Sequence, residues 1–174
     1  GGRVVLLAGR AAEKAAVRER LGDVHFRAGN WRRALAAYHF LLKELGLRPD
    51  ADDPAVRRHA ALLTFKIGMI RLRRGDVEAA RALFDRAEGE LGTVGTTEER
   101  ARLLDASARA RLERGDPDGA QAKAEAALAL AGSELPDDLR SLLLGTLGSV
   151  AFQRGDHATA EERLEAAVEA ARRT

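Results

Sequence analysis

Four of the glycines that precede Asp or Asn in this 174-residue chain recur at nearly regular spacing. The glycines lie 46, 40 and 40 residues apart, in Gly29-Asn30, Gly75-Asp76, Gly115-Asp116 and Gly155-Asp156. Glycine just past a helix end adopts a left-handed conformation without steric cost, and Asp or Asn then caps the next helix. Each motif therefore predicts a tight joint between two antiparallel helices.

A stripe of small and apolar residues follows each joint. An alanine lies five residues after each joint glycine, and two further apolar residues follow at intervals of four and three. This spacing predicts the buried face of the second helix of each pair. Seven residues before each glycine is a small residue that would let the facing helix approach closely. The stripes are Ala34/Tyr38/Leu41, Ala80/Phe84/Ala87, Ala120/Ala124/Ala127 and Ala160/Leu164/Ala167, and the small residues are Gly22, Gly68, Ala108 and Gly148.

Local signals at the ends of these segments predict eight helices. Gly46, Gly92 and Gly132 are expected to end second helices. Asp53-Pro54, the capping box formed by Thr96 and Glu99, and Ser133 with Pro136-Asp137-Asp138 are expected to open the following first helices. Alanine and leucine are frequent and no run of β-branched residues alternates, so no strand is predicted. The predicted helices span residues 11–28, 31–45, 54–74, 77–91, 97–114, 117–131, 136–154 and 157–172.

These residues resemble the tetratricopeptide repeat, whose pattern is Leu-Gly-x-x-Tyr in the first helix and Ala-x-x-x-Phe in the second. Leu21-Gly22, Ile67-Gly68 and Leu147-Gly148 match the first part, while Ala34 with Tyr38 and Ala80 with Phe84 match the second. The resemblance implies an all-α fold, a right-handed α-solenoid of four antiparallel helix pairs. The period near 40, longer than the usual 34, is similar to the variety found in bacterial multidomain regulators.

The repeats of this array are expected at residues 11–46, 53–92, 97–132 and 136–174. Residues 1–10 are interpreted as a remnant of a preceding helix or a linker, because Val4–Gly9 is similar to Leu128–Gly132, the end of a second helix. Terminal repeats normally have a polar outer face, and none is visible here. The chain is therefore interpreted as part of a longer array, and its bare ends leave a homodimer open.

The sequence has no pattern typical of a catalytic or metal site. It has no cysteine, its four histidines lack metal-ligand spacing, and it has neither a P-loop nor a Gly-x-Ser-x-Gly motif. Asp52-Asp53 and Asp137-Asp138 lie at helix starts, where negative charge is favourable. We therefore predict a protein that is not an enzyme and that has no catalytic residues, metal or cofactor.

The resemblance implies that the first helices line a concave groove for a peptide or helix of a partner protein. Phe26, Leu72, Leu112 and Phe152 fit a core position better than a ligand contact, and Trp31 either covers the first joint or anchors a partner. The residues expected to contact the partner are Asp23, Arg27, Phe65, Met69, Arg73, Arg102, Arg109 and Gln153.

The charge of the chain bears on its partners. A net charge of +2 argues against nucleic acid, although the chain has a possible basic cluster in Arg32, Arg33, Arg71, Arg73 and Arg74. Residues 1–92 have 18 basic and 12 acidic side chains, and residues 93–174 have 11 and 15. Such asymmetry would allow head-to-tail self-assembly, the alternative to a peptide-binding scaffold or sensor segment. The apolar runs are too short to span a membrane, and we expect a cytoplasmic location.

Overall fold

A computed structural model describes the backbone of residues 2–132 and 135–174, and the side chains of residues 13–130, 132 and 135–174. The described residues form helices joined by short turns, with no strand. The helices are α1 (Gly2–Arg27), α2 (Trp31–Gly46), α3 (Pro54–Arg73), α4 (Val77–Val94), α5 (Thr97–Glu113), α6 (Pro117–Ala131), α7 (Asp137–Gln153) and α8 (His157–Ala171).

The four predicted joints connect α1 to α2, α3 to α4, α5 to α6 and α7 to α8. Their glycines, Gly29, Gly75, Gly115 and Gly155, have φ between 73° and 79°, the left-handed region that favours glycine. Each joint folds its two helices back as an antiparallel pair, and the pairs stack in chain order. The predicted all-α solenoid of four helix pairs is confirmed.

The core lies between these layers as three buried clusters, each built mainly from consecutive helix pairs. The predicted stripe alanines at 34, 80, 120 and 160 are all buried. Tyr38 and Phe84 are buried against the small residues predicted to face them, Gly22 and Gly68. Leu164 contacts Gly148 in the same way. It is nevertheless 44% exposed, because α8 packs on α7 alone and its other face is uncovered in the structure.

Two predicted boundaries are wrong. Helix α1 begins at Gly2, so Gly9 does not end a preceding helix and residues 2–10 continue into α1. Helix α4 passes through Gly92 to Val94, where Gly95 N–H donates to Leu91 O at 2.8 Å and closes the last turn. Glycine inside a helix costs only about 1 kcal/mol relative to alanine, so it ends a helix only where packing does not continue it.

Gly46 is the last residue of α2, and Gly132 follows α6 with a positive φ of 51°, so both of these predicted ends are confirmed. The capping box of Thr96 and Glu99 is present at the start of α5, and Asp53 caps α3. Ser133, predicted to help open α7, lies outside the described residues. None of the described helices has an apolar stretch long enough to cross a membrane.

Candidate partner-binding groove

The concave side of the stack has a groove of about 480 Å³, lined mainly by the first helices α1, α3, α5 and α7. Seven of the eight residues predicted to contact a partner line it together: Asp23, Arg27, Phe65, Met69, Arg73, Arg102 and Arg109. The eighth, Gln153, lies at the end of α7, where its Nε2 donates to Leu112 O at 3.2 Å, and it does not line this groove.

Apolar side chains from three first helices form much of the groove wall. Phe65 and Met69 lie in the middle, on α3, and Phe65 packs on the buried Phe84 with ring centroids 5.9 Å apart. Phe26 lies at the α1 end. Leu139 and Leu142 close the opposite end, on α7, where Leu142 is largely exposed. Aromatic residues and methionine at this density suit an adaptable apolar contact.

Five cationic side chains and two carboxylates line the same groove. Arg102 is paired with Glu98 at 3.0 Å and Asp138 at 2.7 Å, and Arg109 with Asp105 at 3.1 Å. In contrast, neither Arg27 nor Arg73 has a carboxylate at ion-pair distance among the described residues. The guanidinium of Arg73 instead lies 5.0 Å from the ring centre of Phe26 and 5.9 Å from that of Trp31. The α1–α3 end of the groove therefore has positive charge available for a partner.

A polar network holds α1 against α3 beside the α1–α3 end of the groove. Lys66 Nζ donates to Glu19 Oε1 and to Asp23 Oδ1, both at 2.8 Å, and His59 Nε2 lies 2.7 Å from Glu19 Oε2. The hydrogen bond with His59 and then those with Lys66 lower the pKa of Glu19 to about 2, against the effect of its burial. Burial disfavours the Lys66 ammonium, but the two carboxylates outweigh it and raise the pKa of Lys66.

The Tyr38 hydroxyl belongs to the same network and donates to Asp23 Oδ1 at 2.7 Å. Burial and this hydrogen bond together raise the pKa of Tyr38, so its hydroxyl stays protonated. Asp23, predicted as a partner contact, thus already accepts hydrogen bonds from Lys66 and Tyr38. Its carboxylate fixes the groove wall.

Asp105 is a nearly buried carboxylate in the groove, with 1% of its surface exposed. It accepts a hydrogen bond from Thr146 Oγ1 at 2.8 Å across the α5–α7 interface. Arg109 Nε lies 3.1 Å from Asp105 Oδ2 but forms no hydrogen bond, so this contact is an ion pair alone. Asp105 therefore holds two first helices together and positions Arg109.

The predicted set of partner contacts lacked Lys66 and the α7 residues of the groove, Leu139 and Leu142. Leu142 could have been found from the period alone, because it lies thirteen residues before its joint glycine, as Arg102 does before Gly115. Lys66 follows Phe65 directly, and only the structure shows that it turns toward α1. Within the described part of the chain, no group of three or more His, Asp or Glu side chains could hold a metal ion.

Two of the apolar residues expected in the core, Leu72 and Leu112, are buried. Their counterparts in the outer pairs are less covered, since Phe26 is half-buried and Phe152 is exposed. Trp31 is half-buried and packs edge-on against Phe26, with centroids 5.7 Å apart. It therefore covers the first joint.

Stacked antiparallel helix pairs with their first helices on a concave surface define the class of helical-repeat solenoids. The sequence profile of the tetratricopeptide repeat matches residues 19–93 and 106–173. The chain belongs to the tetratricopeptide repeat family, whose fold implies a role in protein–protein interaction or as a scaffold.

Solved structures agree with this fold. BtubC from P. vanneervenii superposes with a TM-score of 0.71 at 22% identity, covering 90% of this chain and 62% of its own. This chain thus spans less than two thirds of BtubC. MamA superposes with a TM-score of 0.63 at 15% identity, covering 98% of this chain and 85% of its own. A Podosopora anserina putative kinesin light chain repeat protein superposes with a TM-score of 0.57 at 14% identity, covering 90% of this chain and 94% of its own. A comparison with curated proteins gave no match.

Proposed function

We propose that this chain is a non-enzymatic interaction segment that binds one peptide or helix of a partner protein in its concave groove. The observation that supports it most is the pair of arginines, Arg27 and Arg73, beside the apolar residues Phe65 and Met69. We further propose that it serves as a scaffold or sensor segment of a larger bacterial regulator in the cytoplasm.

The groove favours a ligand that is both apolar and acidic. Apolar side chains of the ligand would cover Phe65, Met69 and Leu142 and remove them from water. Carboxylates of the ligand would lie against Arg27 and Arg73, which have no such partner of their own among the described residues. Because arginine binds a carboxylate through two parallel N–H groups, this end would also set the direction of the bound segment.

Selection from a displayed library of random 12-residue peptides tests this proposal. We expect enriched peptides to combine Asp or Glu with Leu, Phe or Trp. The variant Met69→Glu/Arg73→Glu should bind them at least about tenfold more weakly, because it loses one apolar and one cationic contact. The control Ala82→Glu/Arg86→Glu places the same charges on exposed positions of α4. Equal binding by the two variants, or no enrichment, would contradict the proposal.

Self-assembly is a second candidate, favoured by exposed apolar side chains on both outer helices. Leu21 on α1 is 52% exposed, whereas its counterparts Ile67 and Leu147 are 2% and 8% exposed. Val168 and Leu164 are exposed on α8 beside acidic residues such as Glu165, whereas α1 has basic residues such as Arg20. These opposite charges suit head-to-tail contact between copies.

Sedimentation at several protein concentrations separates the two candidates. If the ends associate, the mass should rise with concentration, and Leu21→Glu should abolish the rise. The groove variant Met69→Glu/Arg73→Glu should leave it unchanged. A monomer at all concentrations would remove self-assembly and leave the groove proposal unaffected.

A further inference from the structure

An arginine immediately before the joint glycine links neighbouring repeats in the second half of the chain. Arg114 pairs with Glu78, and Arg154 pairs with Asp118. Both acidic partners lie three residues after the joint glycine of the preceding repeat. The chain therefore supplies one carboxylate for one arginine at each of these two junctions.

The first junction breaks this rule. Arg74 precedes Gly75 in the same way, but the position three residues after Gly29 is Arg32 instead of an acid. Arg32, Arg33 and Arg74 line one recess together with Gly29, Asn30 and Trp31. Among the described residues, none of the three arginines has a carboxylate at ion-pair distance.

The helix start beside this recess also lacks its usual carboxylate. At the next two joints, Asp76 and Asp116 cap the second helix and pair with Arg71 and Arg111. The first joint has Asn30 at this position, and its side chain makes no capping hydrogen bond. Three like charges thus lie beside the positive end of α2, without the anion that would stabilise them.

We propose that this recess, the Arg32–Arg74 recess, is a subsite for an Asp or Glu side chain of a protein partner. The partner's carboxylate would take the place that Glu78 and Asp118 occupy at the following junctions. A carboxylate is favoured because the chain itself uses one against the equivalent arginine both times. The carboxylate would be held by a bidentate pair of hydrogen bonds from Arg74 and by a further hydrogen bond from Arg32.

The recess adjoins the α1–α3 end of the groove. Trp31 lines the recess and Phe26 lines the groove, and the two rings are in contact. Arg73 lies over both rings. A segment lying in the groove would reach the recess across Trp31, so the inference extends the proposed function to one acidic residue beyond the groove.

Trp31 reports on the recess directly, because it is the only tryptophan in the chain. The probe is acetyl-hexaglutamate amide, followed by tryptophan fluorescence, with the hexaglutamine peptide as the uncharged control. We expect a saturable change with hexaglutamate, and Arg32→Glu or Arg74→Glu should weaken it at least about tenfold. The matched control is Arg114→Glu, which reverses the equivalent charge at a filled junction and should leave the titration unchanged.

A second readout needs no ligand. Arg32→Glu would give this junction an arginine–carboxylate pair like those of the other two, so the Tm of this variant should rise by about 1–3 °C. Arg114→Glu should lower the Tm, because it breaks such a pair. The proposal would be overturned if hexaglutamate caused no fluorescence change. It would also be overturned if Arg32→Glu bound hexaglutamate as tightly as the wild-type chain does. Tighter saturation by inorganic phosphate or by a DNA duplex would overturn the assignment to a carboxylate of a protein.

A single substitution in the groove, which leaves Arg73 beside Trp31 in place, separates this proposal from the proposed function. Met69→Glu should weaken the binding of peptides selected on the groove. The affinity for hexaglutamate, measured through Trp31, should stay within twofold of the wild-type value. If hexaglutamate binds but no groove peptide is found, the groove proposal fails alone. If groove peptides bind and hexaglutamate does not, the Arg32–Arg74 recess fails alone.

Discussion

At the scale of single residues, two facing positions in each helix pair are matched in size, one on the first helix and one on the second. A Cβ on Gly68 would lie 2.6 Å from Cε1 of Phe84, and one on Gly22 would lie 2.8 Å from Cε1 of Tyr38. Neither distance is possible without movement of the ring. In the third pair both positions are alanine, Ala108 and Ala124, and both are fully buried. A large residue in the second helix thus requires glycine in the first.

The substitution Gly68→Ala tests this fit. We expect it to lower the free energy of unfolding by about 1–3 kcal/mol, because the ring of Phe84 must move within a filled core. Gly89→Ala, also within a helix, is the control, since a Cβ added to this glycine of α4 would meet no neighbouring heavy atom within 4 Å. It should raise stability by roughly 0.5–1 kcal/mol, as alanine favours helix. Urea unfolding of both variants measures the difference, and similar stabilities would contradict the fit.

Glu19 gives a pH-dependent contribution to stability. Its pKa falls from an ordinary 4.5 to about 2 in the folded chain, chiefly through His59. A lowered carboxyl pKa stabilises the fold fully above about pH 4.5, and this stabilisation is lost as the pH falls toward 2. Glu19→Gln should therefore cost on the order of 1–2 kcal/mol at pH 6 and almost nothing near pH 2.

Denaturant unfolding between pH 2 and pH 6 measures this difference. The control Glu44→Gln changes an exposed glutamate on α2 that has no ion pair among the described residues. A wild-type advantage over Glu19→Gln that stayed constant across this range would show that the network does not act through ionisation of Glu19.

At the scale of elements, the four joints share one backbone shape but differ in their caps. Asp116 accepts from Gly119 N–H at 2.9 Å and from Arg111 Nη1 at 3.1 Å. Asp156 accepts from Thr159 N–H at 3.1 Å, while Asn30 makes no capping bond. The joint glycine therefore sets the turn, and the residue after it determines how strongly the second helix begins.

Replacing the caps should separate these joints. Asp116→Ala should cost about 1 kcal/mol, because α6 loses its cap and Arg111 loses its partner. Asn30→Ala, the matched change at the joint without a capping bond, should cost less than about 0.5 kcal/mol. Thermal unfolding of the two variants gives the comparison, and a larger loss for Asn30→Ala would contradict the role given to the cap.

The joints and three of their four caps, Asp76, Asp116 and Asp156, could be predicted from sequence because their chemistry is local. The cap expected from Asn30 was wrong, because its side chain makes no capping hydrogen bond. Gly75-Asp76 fixes a turn and a helix start within a few residues. The structure places seven of the residues chosen from the 40-residue period in one groove. The end of α4 could not be predicted, because helix continuation through Gly92 depends on packing. The meeting of Arg74 with Arg32 was equally hidden, since it depends on how two repeats stack across a longer linker.

At the scale of the whole molecule, the main contacts between the described helices join neighbours in the stack. Each helix packs on the helices before and after it, and first helices also meet the next first helix, as α3 meets α5 and α5 meets α7. Within the described side chains, no buried cluster extends through all four pairs. Stability in such an array is close to a sum of repeat and interface terms, so a weakened interface should act locally.

The hydrogen bond from Thr146 to Asp105 tests this locality, because it joins the third and fourth pairs in a nearly buried site. Thr146→Val removes the donor and leaves Asp105 with an ion pair to Arg109 that is not a hydrogen bond. We expect a loss of about 1–3 kcal/mol at this interface. Amides of α7 and α8 should then exchange with deuterium about 5–100 times faster, while those of α3 and α4 stay near the wild-type rate.

Ser149→Ala is the control for this experiment, because its hydroxyl donates to Gly145 O within α7 and is exposed. Ser149→Ala should change the amide exchange rates of α7 and α8 only slightly and leave those of the other helix pairs unchanged. If Thr146→Val instead accelerates exchange equally in all four pairs, the stack unfolds as one cooperative unit and the carboxylate of Asp105 supports the whole array. If acceleration is confined to α5 to α8, the first two pairs, with Arg27, Arg73 and the Arg32–Arg74 recess, form a unit whose order does not depend on the last pair.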